Sequence, residues 1–177
     1  MAGELNFTTQ FGEAFAGSGL EAAHLNTVLG AKGGPVETAW ATALATPSAG
    51  HVAFVVVAQP NLPVLPMTLF VNKATIGSTR HASLTWGAAQ LGVASGVIDA
   101  LAHGVLAVLE LDQLLLIAAV WVDPAADDAD AVYDNNRVAT LASLVRGRET
   151  KLDVDGLLAV RETPINGYYV PKTLRSS

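Results

Sequence analysis

The stretch from Leu62 to Ile76, LPVLPMTLFVNKATI, constrains this chain more than any other. Prolines at 60, 63 and 66 punctuate its entry and forbid a helix there. The segment after them, Thr68 to Ile76, is apolar and β-branched and predicts a strand. Residues two apart on a strand point to one side, so Lys73 and Thr75 share a face, with Val71 next along. A lysine in an apolar strand either guards a sheet edge against aggregation or has a buried partner. The fragment alone leaves both open.

The surrounding pattern predicts an α/β chain. Residues 1 to 19 read as a glycine-containing lead-in with a turn at Gly17-Ser18-Gly19. Ala22 to Leu29 predicts the first strand, with His24 and Asn26 side by side on one face. A glycine-rich loop, Gly30 to Gly34, leads into a helix that Pro35 opens, that runs to about Ala45, and that Pro47 stops. His51 to Ala58, HVAFVVVA, reads as a strand buried on both faces. After Gly77-Ser78-Thr79, apolar residues from Arg80 to His103 recur three or four apart, as on a helix. Small residues crowd that helix (Gly87, Ala88, Ala89, Gly92, Ala94, Ser95, Gly96) and allow a close neighbour. Leu114 to Val122 predicts another strand. Asp123-Pro124 then starts a helix that ends near Arg146, with Gly147 as its stop.

That order describes an α+β two-layer domain, a mixed β-sheet with helices on one side. The expected division is a domain over 1–150 and a polar, turn-rich C-terminal extension over 151–177. Within the extension, Gly167-Tyr168-Tyr169-Val170-Pro171 is an apolar patch that docks on its own subunit, docks on a neighbour, or stays unstructured.

Composition narrows the function classes. Apolar residues make up 51% and charged residues only 15%, against about 25% charged in an ordinary soluble chain. So few solvating groups predict burial against copies of itself, a homo-oligomer. A net charge of −6 without a basic stripe argues against nucleic acid as a partner. The chain has no cysteine, which excludes disulfides and thiolate metal sites. No signal-peptide pattern opens it, and Glu110, Asp112 and Gln113 break its most apolar run, Val105 to Val122, so neither a secreted nor a membrane protein is expected. A cytoplasmic location is the expectation.

Common chemistries also fall away. Gly30 to Gly34 lacks the ending of a phosphate loop. The four histidines are not spaced as metal pairs, and Asp127, Asp128 and Asp130 suit a helix start, so no metal is expected. Two polar pairs on apolar strands survive, His24 with Asn26 and Lys73 with Thr75. Leaving such groups buried and unpaired costs about 1–3 kcal/mol each, and a shared polar pocket explains both pairs.

Five blocks carry a resemblance: GEAFAGSGLEAAHLN (Gly12 to Asn26), GPVETAWATALA (Gly34 to Ala45), PNLPVLPMTLFVNKATI (Pro60 to Ile76), WGAAQLGVA (Trp86 to Ala94) and DPAADDADAVYDNNRVAT (Asp123 to Thr140). Together they resemble the formaldehyde-activating enzyme family. The resemblance implies a fold like the second domain of ribosomal protein S5 and a cytoplasmic homopentamer with pterin sites at subunit boundaries. It implies a hydro-lyase of one-carbon metabolism and formaldehyde detoxification, which condenses formaldehyde with tetrahydromethanopterin to methylene-tetrahydromethanopterin and water. By motif position it implies His24 as proton donor and Asn26, Val55, Lys73, Thr75 and Gln90 as pterin contacts, with no metal. An imidazole, of ordinary pKa about 6.5, suits proton donation at neutral pH. Asn26 stands where that family carries an aspartate, Val55 where it carries leucine, and Arg137 where it carries an aromatic. These departures describe a divergent member. They leave two alternatives: a non-catalytic sensor or carrier of a pterin or formaldehyde adduct, and an enzyme joining formaldehyde to a different amine.

Overall fold

Strand alternation builds the sheet, and glycines set how closely the helices approach it. The structure, a computed structural model, describes residues 7–150 and 153–174. In chain order the elements are β1 Gln10–Ala16, β2 Ala23–Ala31, α1 Pro35–Ala45, β3 Phe54–Val55, β4 Val57–Gln59, β5 Leu62–Pro63, β6 Met67–Asn72, α2 Thr79–Ser83, α3 Gln90–Ala102, β7 Leu114–Trp121, α4 Ala129–Glu149 and α5 Val154–Ala159. A π-helical turn, Leu84–Ala89, joins α2 to α3. Five strands form one mixed sheet in the order β1-β2-β7-β6-β3, with β6 and β7 parallel and the other pairs antiparallel. β4 and β5 make a separate hairpin.

Ala23, Leu25, Thr27 and Leu29 of β2 are buried, while His24, Asn26 and Val28 between them are only partly so, as the period of two requires. The buried side joins Phe70, Leu116 and Val120 in a core closed by Val93, Val97, Val132 and Leu144 of α3 and α4. Each such side chain contributes about 1.5–3 kcal/mol by leaving water. Thr27 Oγ1 and Ser143 Oγ share a buried hydrogen bond of 2.7 Å across this layer. The two long helices thus lie on one side, giving the expected two-layer α+β domain. The shorter α1 crosses the end of the other side, where a Cβ on Gly30 would lie 2.5 Å from Val36 Cγ2.

The small residues on α3 serve close packing, as their density suggested. Any Cβ at Gly92 or Gly96 would run into α4, at Tyr133 O and Asn136 or at Thr140 and Arg137 O. Arg137 clamps the same pair of helices from outside, with Nε 2.6 Å and Nη2 2.9 Å from the two oxygens of Asp99.

Several expectations are corrected. The lead-in contains a full strand, β1, whose alternation is inverted: Gly12 and Ala14 face the core, and Phe11, Glu13 and Phe15 face out. Gly12 sits inside because a Cβ there would be 1.9 Å from Ser143 O on α4. Residues 1–6 of that lead-in lie outside the described residues. His51 to Ala58 is not a strand buried on both faces: it yields two short pieces, β3 and the start of β4, and only Val56, between them, is buried. β6 ends at Asn72, so Lys73 and Thr75 are not strand neighbours on one face. α4 begins after Asp128, whose side chain accepts from Ala131 N, whereas Asp123 caps a separate turn by accepting from Ala125 N. Gly147 lies within α4, close against the backbone of Phe11 and Gly12. No helix among the described residues is long and apolar enough to cross a membrane.

Candidate active site

The sheet face turned away from α3 and α4 carries His24 and Asn26, and Lys73 reaches it from just past β6. Register sets the layout: Glu13 stands opposite Asn26, Phe15 opposite His24, and His24 opposite Trp121. Ala119 is the partner of both Asn26 on β2 and Val71 on β6. Its small side chain leaves room above the sheet between those strands. Just past β6, Lys73 N bonds Val120 O at 2.8 Å, which holds the lysine beside Trp121.

Lys73 reaches back across this gap. Its Nζ donates to Asn26 Oδ1, with His24 O at 3.4 Å and His24 Nδ1 at 3.5 Å. Burial pushes the Lys73 ammonium below the usual lysine range, with the Glu13 charge opposing that shift. His24 Nε2 lies 2.7 Å from Glu13 Oε1. The Glu13 carboxyl is held below its ordinary range, chiefly by that bond to His24 and further by Asn26 and Lys73, against a partial opposing effect of burial. The Phe15 ring stacks on the imidazole, centroids 4.0 Å apart and planes 7° from parallel.

The C-terminal segment completes the wall. Tyr168 OH lies 3.0 Å from His24 Nδ1, and its ring meets Phe15 edge-on at 5.1 Å. Of the three fates open to the apolar tail patch, docking on the same subunit is the one seen for Tyr168. Burial, and then the Glu13 charge, push the Tyr168 phenol up, so it stays a hydrogen-bond donor. A cleft of about 600 Å³ opens here, lined by Phe15, His24, Lys73, Trp121, Asp123 and Tyr168 among others.

The six residues singled out in the sequence therefore divide. His24 and Lys73 line this cleft, and Asn26 accepts from Lys73 Nζ beside it. Thr75 does not join them: its hydroxyl lies 2.8 Å from His51 Nε2, while His51 Nδ1 donates to Asn72 O at 3.0 Å. Val55 and Gln90 line a second, shallower hollow of about 400 Å³ with Val52, Phe54, Val57 and Trp86, where Gln90 Nε2 donates to Val57 O at 2.8 Å. Sequence reasoning missed Phe15 and Trp121 at the first cleft and Glu13 as the partner of His24. The alternation of QFGEAFA (Gln10–Ala16) was the available signal, hidden because its small residues face inward. Among the described residues no group of three or more histidine, cysteine or acidic side chains is gathered to hold a metal.

A family model described as formaldehyde-activating enzyme matches residues 11–168. A 5,6,7,8-tetrahydromethanopterin hydro-lyase of Methanosarcina barkeri is 40% identical over 152 residues, covering 86% of this chain and 85% of that protein. Bifunctional Fae/Hps enzymes of Methanothrix thermoacetophila and Methanosarcina mazei are 39% and 38% identical, over 90% and 84% of this chain. The chain spans only 41% and 38% of the length of those two longer proteins.

Proposed function

This chain belongs to the formaldehyde-activating enzyme family, and on that premise we propose that it condenses formaldehyde with tetrahydromethanopterin to give the methylene adduct and water. The observation that carries this reading is the meeting of His24 on β2 with Lys73 from just past β6 at one cleft, Lys73 being held there by Asn26, in a chain so similar to a hydro-lyase. One pterin nitrogen adds to formaldehyde and gives a carbinolamine. His24 then supplies the proton that lets the hydroxyl leave as water. The resulting iminium closes on the second pterin nitrogen, which loses its proton. Lys73 and Asn26 hold polar groups of the pterin, and the rigid cleft supplies orientation.

Val55, Thr75 and Gln90 take part through assembly. We place the Val55–Gln90 hollow of one subunit against the His24 cleft of the next in a homopentamer. Support comes from the low charge of the chain and from exposed Val52, Trp86, Leu91, Ile98 and Val138. Residues 1–150 form the working domain and 151–177 an extension that contributes Tyr168. The place of work is the cytoplasm, without a metal.

A second reading, binding of a pterin or formaldehyde adduct without turnover, is favoured by the uncharged Asn26 as the acceptor for Lys73. The rate of methylene-tetrahydromethanopterin formation above the spontaneous background separates the two. Acceleration that falls about 10²-fold or more in His24→Ala is expected. Binding without acceleration, seen by calorimetry, leaves the carrier reading, and neither effect removes both.

A further inference from the structure

Both ring nitrogens of His24 are engaged, and their partners differ in kind. Glu13, an ionised carboxylate, can only accept, so the nitrogen facing it, Nε2, carries the hydrogen. The partners of Nδ1, the Tyr168 hydroxyl at 3.0 Å and the Lys73 ammonium at 3.5 Å, can both donate to a lone pair. The Nε2 side is fixed by strand register. Glu13 and Phe15 stand on β1 in register with Asn26 and His24 on β2, and the stacked Phe15 ring prevents the imidazole from swivelling. β1 is itself pinned, since Gly12 backs onto Ser143 and Arg146 Nη1 donates to Glu13 O at 2.9 Å.

The charged and titratable groups around His24 are Glu13 from β1, Lys73 from the end of β6, Asp123 after β7 and Tyr168 from the C-terminal segment. Among the described residues, Glu13 is the one carboxylate in hydrogen-bond contact with the imidazole. Asn26, its cross-strand partner, carries no charge.

We propose that Glu13 is a positioning residue of this site, whose carboxylate fixes the His24 hydrogen on Nε2 and makes Nδ1 the atom that passes the catalytic proton. This rests on the reaction proposed above. The cycle then closes without rearrangement. The imidazolium releases its Nδ1 proton to the departing hydroxyl, the C–O bond breaks and water leaves. The neutral ring that remains is already the Nε2–H form bonded to Glu13. The second pterin nitrogen bonds to the one-carbon unit and gives up its proton, and the Nδ1 lone pair takes it. An acceptor-only partner on Nε2 is what this requires, because a ring with its hydrogen on Nδ1 could not receive that proton there.

The test uses the full chain with Glu13→Gln and Glu13→Asp. A carboxamide can accept from or donate to Nε2, so Gln releases the tautomer while keeping size. Asp keeps the acceptor-only chemistry at shorter reach. Two quantities are measured: steady-state turnover, and the tautomer of His24 by nitrogen NMR of histidine-labelled protein, its signals assigned by their loss in His24→Ala. Expected are an Nε2–H ring in the wild type, a mixture in Glu13→Gln with kcat down about 10–100-fold and KM for the pterin little changed, and partial recovery of both in Glu13→Asp. A drop in kcat with an unchanged tautomer, or a changed tautomer with unchanged kcat, overturns the proposal, as does Nδ1–H in the wild type. If the wild type accelerates nothing, the proposed reaction fails. The tautomer comparison, read on the protein alone, still decides whether Glu13 sets the ring.

Discussion

Replacing Gly96 by alanine tests the closest contact between the two long helices. An added Cβ would lie 2.5 Å from Thr140 Cβ and 2.6 Å from Arg137 O on α4. Ordinary contact begins near 3.5 Å, so α3 and α4 must part by roughly 1 Å. Overpacking costs about 1–3 kcal/mol. The upper end applies here, because the obstacles are a main-chain carbonyl and a β-carbon rather than a flexible tip. Alanine returns about 1 kcal/mol of helix propensity. The net loss is about 2 kcal/mol, a fall in Tm of about 4–8 °C for a chain of this length. Gly87 belongs to the same helical run but has nothing within 4 Å of its would-be Cβ. Gly87→Ala should therefore gain up to about 1 kcal/mol. Thermal unfolding of both variants by circular dichroism, at one protein concentration because assembly shifts Tm, provides the comparison. A Tm for Gly96→Ala equal to or above that of Gly87→Ala would refute the reasoning.

Lys73→Met should abolish turnover while leaving Tm at neutral pH equal or higher. The folded state holds the ammonium below its ordinary 10.5, so it binds fewer protons than the unfolded chain between the two values. Wild-type stability therefore rises with pH through that window, and the rise should be missing in Lys73→Met; a marked fall in Tm counts against this. Glu13 acts with the opposite sign. Its depressed carboxyl stabilises the fold fully above about 4.5 and loses that contribution as pH falls through the folded value. Urea unfolding should show wild-type stability converging on that of Glu13→Gln in acid, and parallel curves would contradict the assignment.

How much was legible in the sequence depended on whether the deciding forces were local. β2, α1 and β7 follow from alternation, from Pro35 and from an unbroken apolar run, and they appear within a residue or two of expectation. Placing His24 and Asn26 on one side of β2 needs only the period of a strand, so that pair was readable. β1 was not, because its inward Gly12 and Ala14 make sense only once α4 lies on them. The end of β6 at Asn72 was likewise hidden. Asn72 turns its amide back to Ala74 O and Gly50 O, at 2.7 and 2.8 Å, and diverts the chain, so Thr75 meets His51.

The site divides along the same line. Motif and residue type marked His24, Asn26 and Lys73. Their meeting needed the pairing of β2 with β7 and of β7 with β6, which brings residues 49 apart in the chain within hydrogen-bond reach. Glu13 and Tyr168, 11 and 144 residues from His24, were marked locally only as part of an alternating run and of an apolar patch, and neither mark points to His24. Local preference selects strand, helix and turn, because its energies act between near neighbours along the chain. Which polar side chains share a cleft is decided by register and packing, and these appear only when distant segments close the sheet.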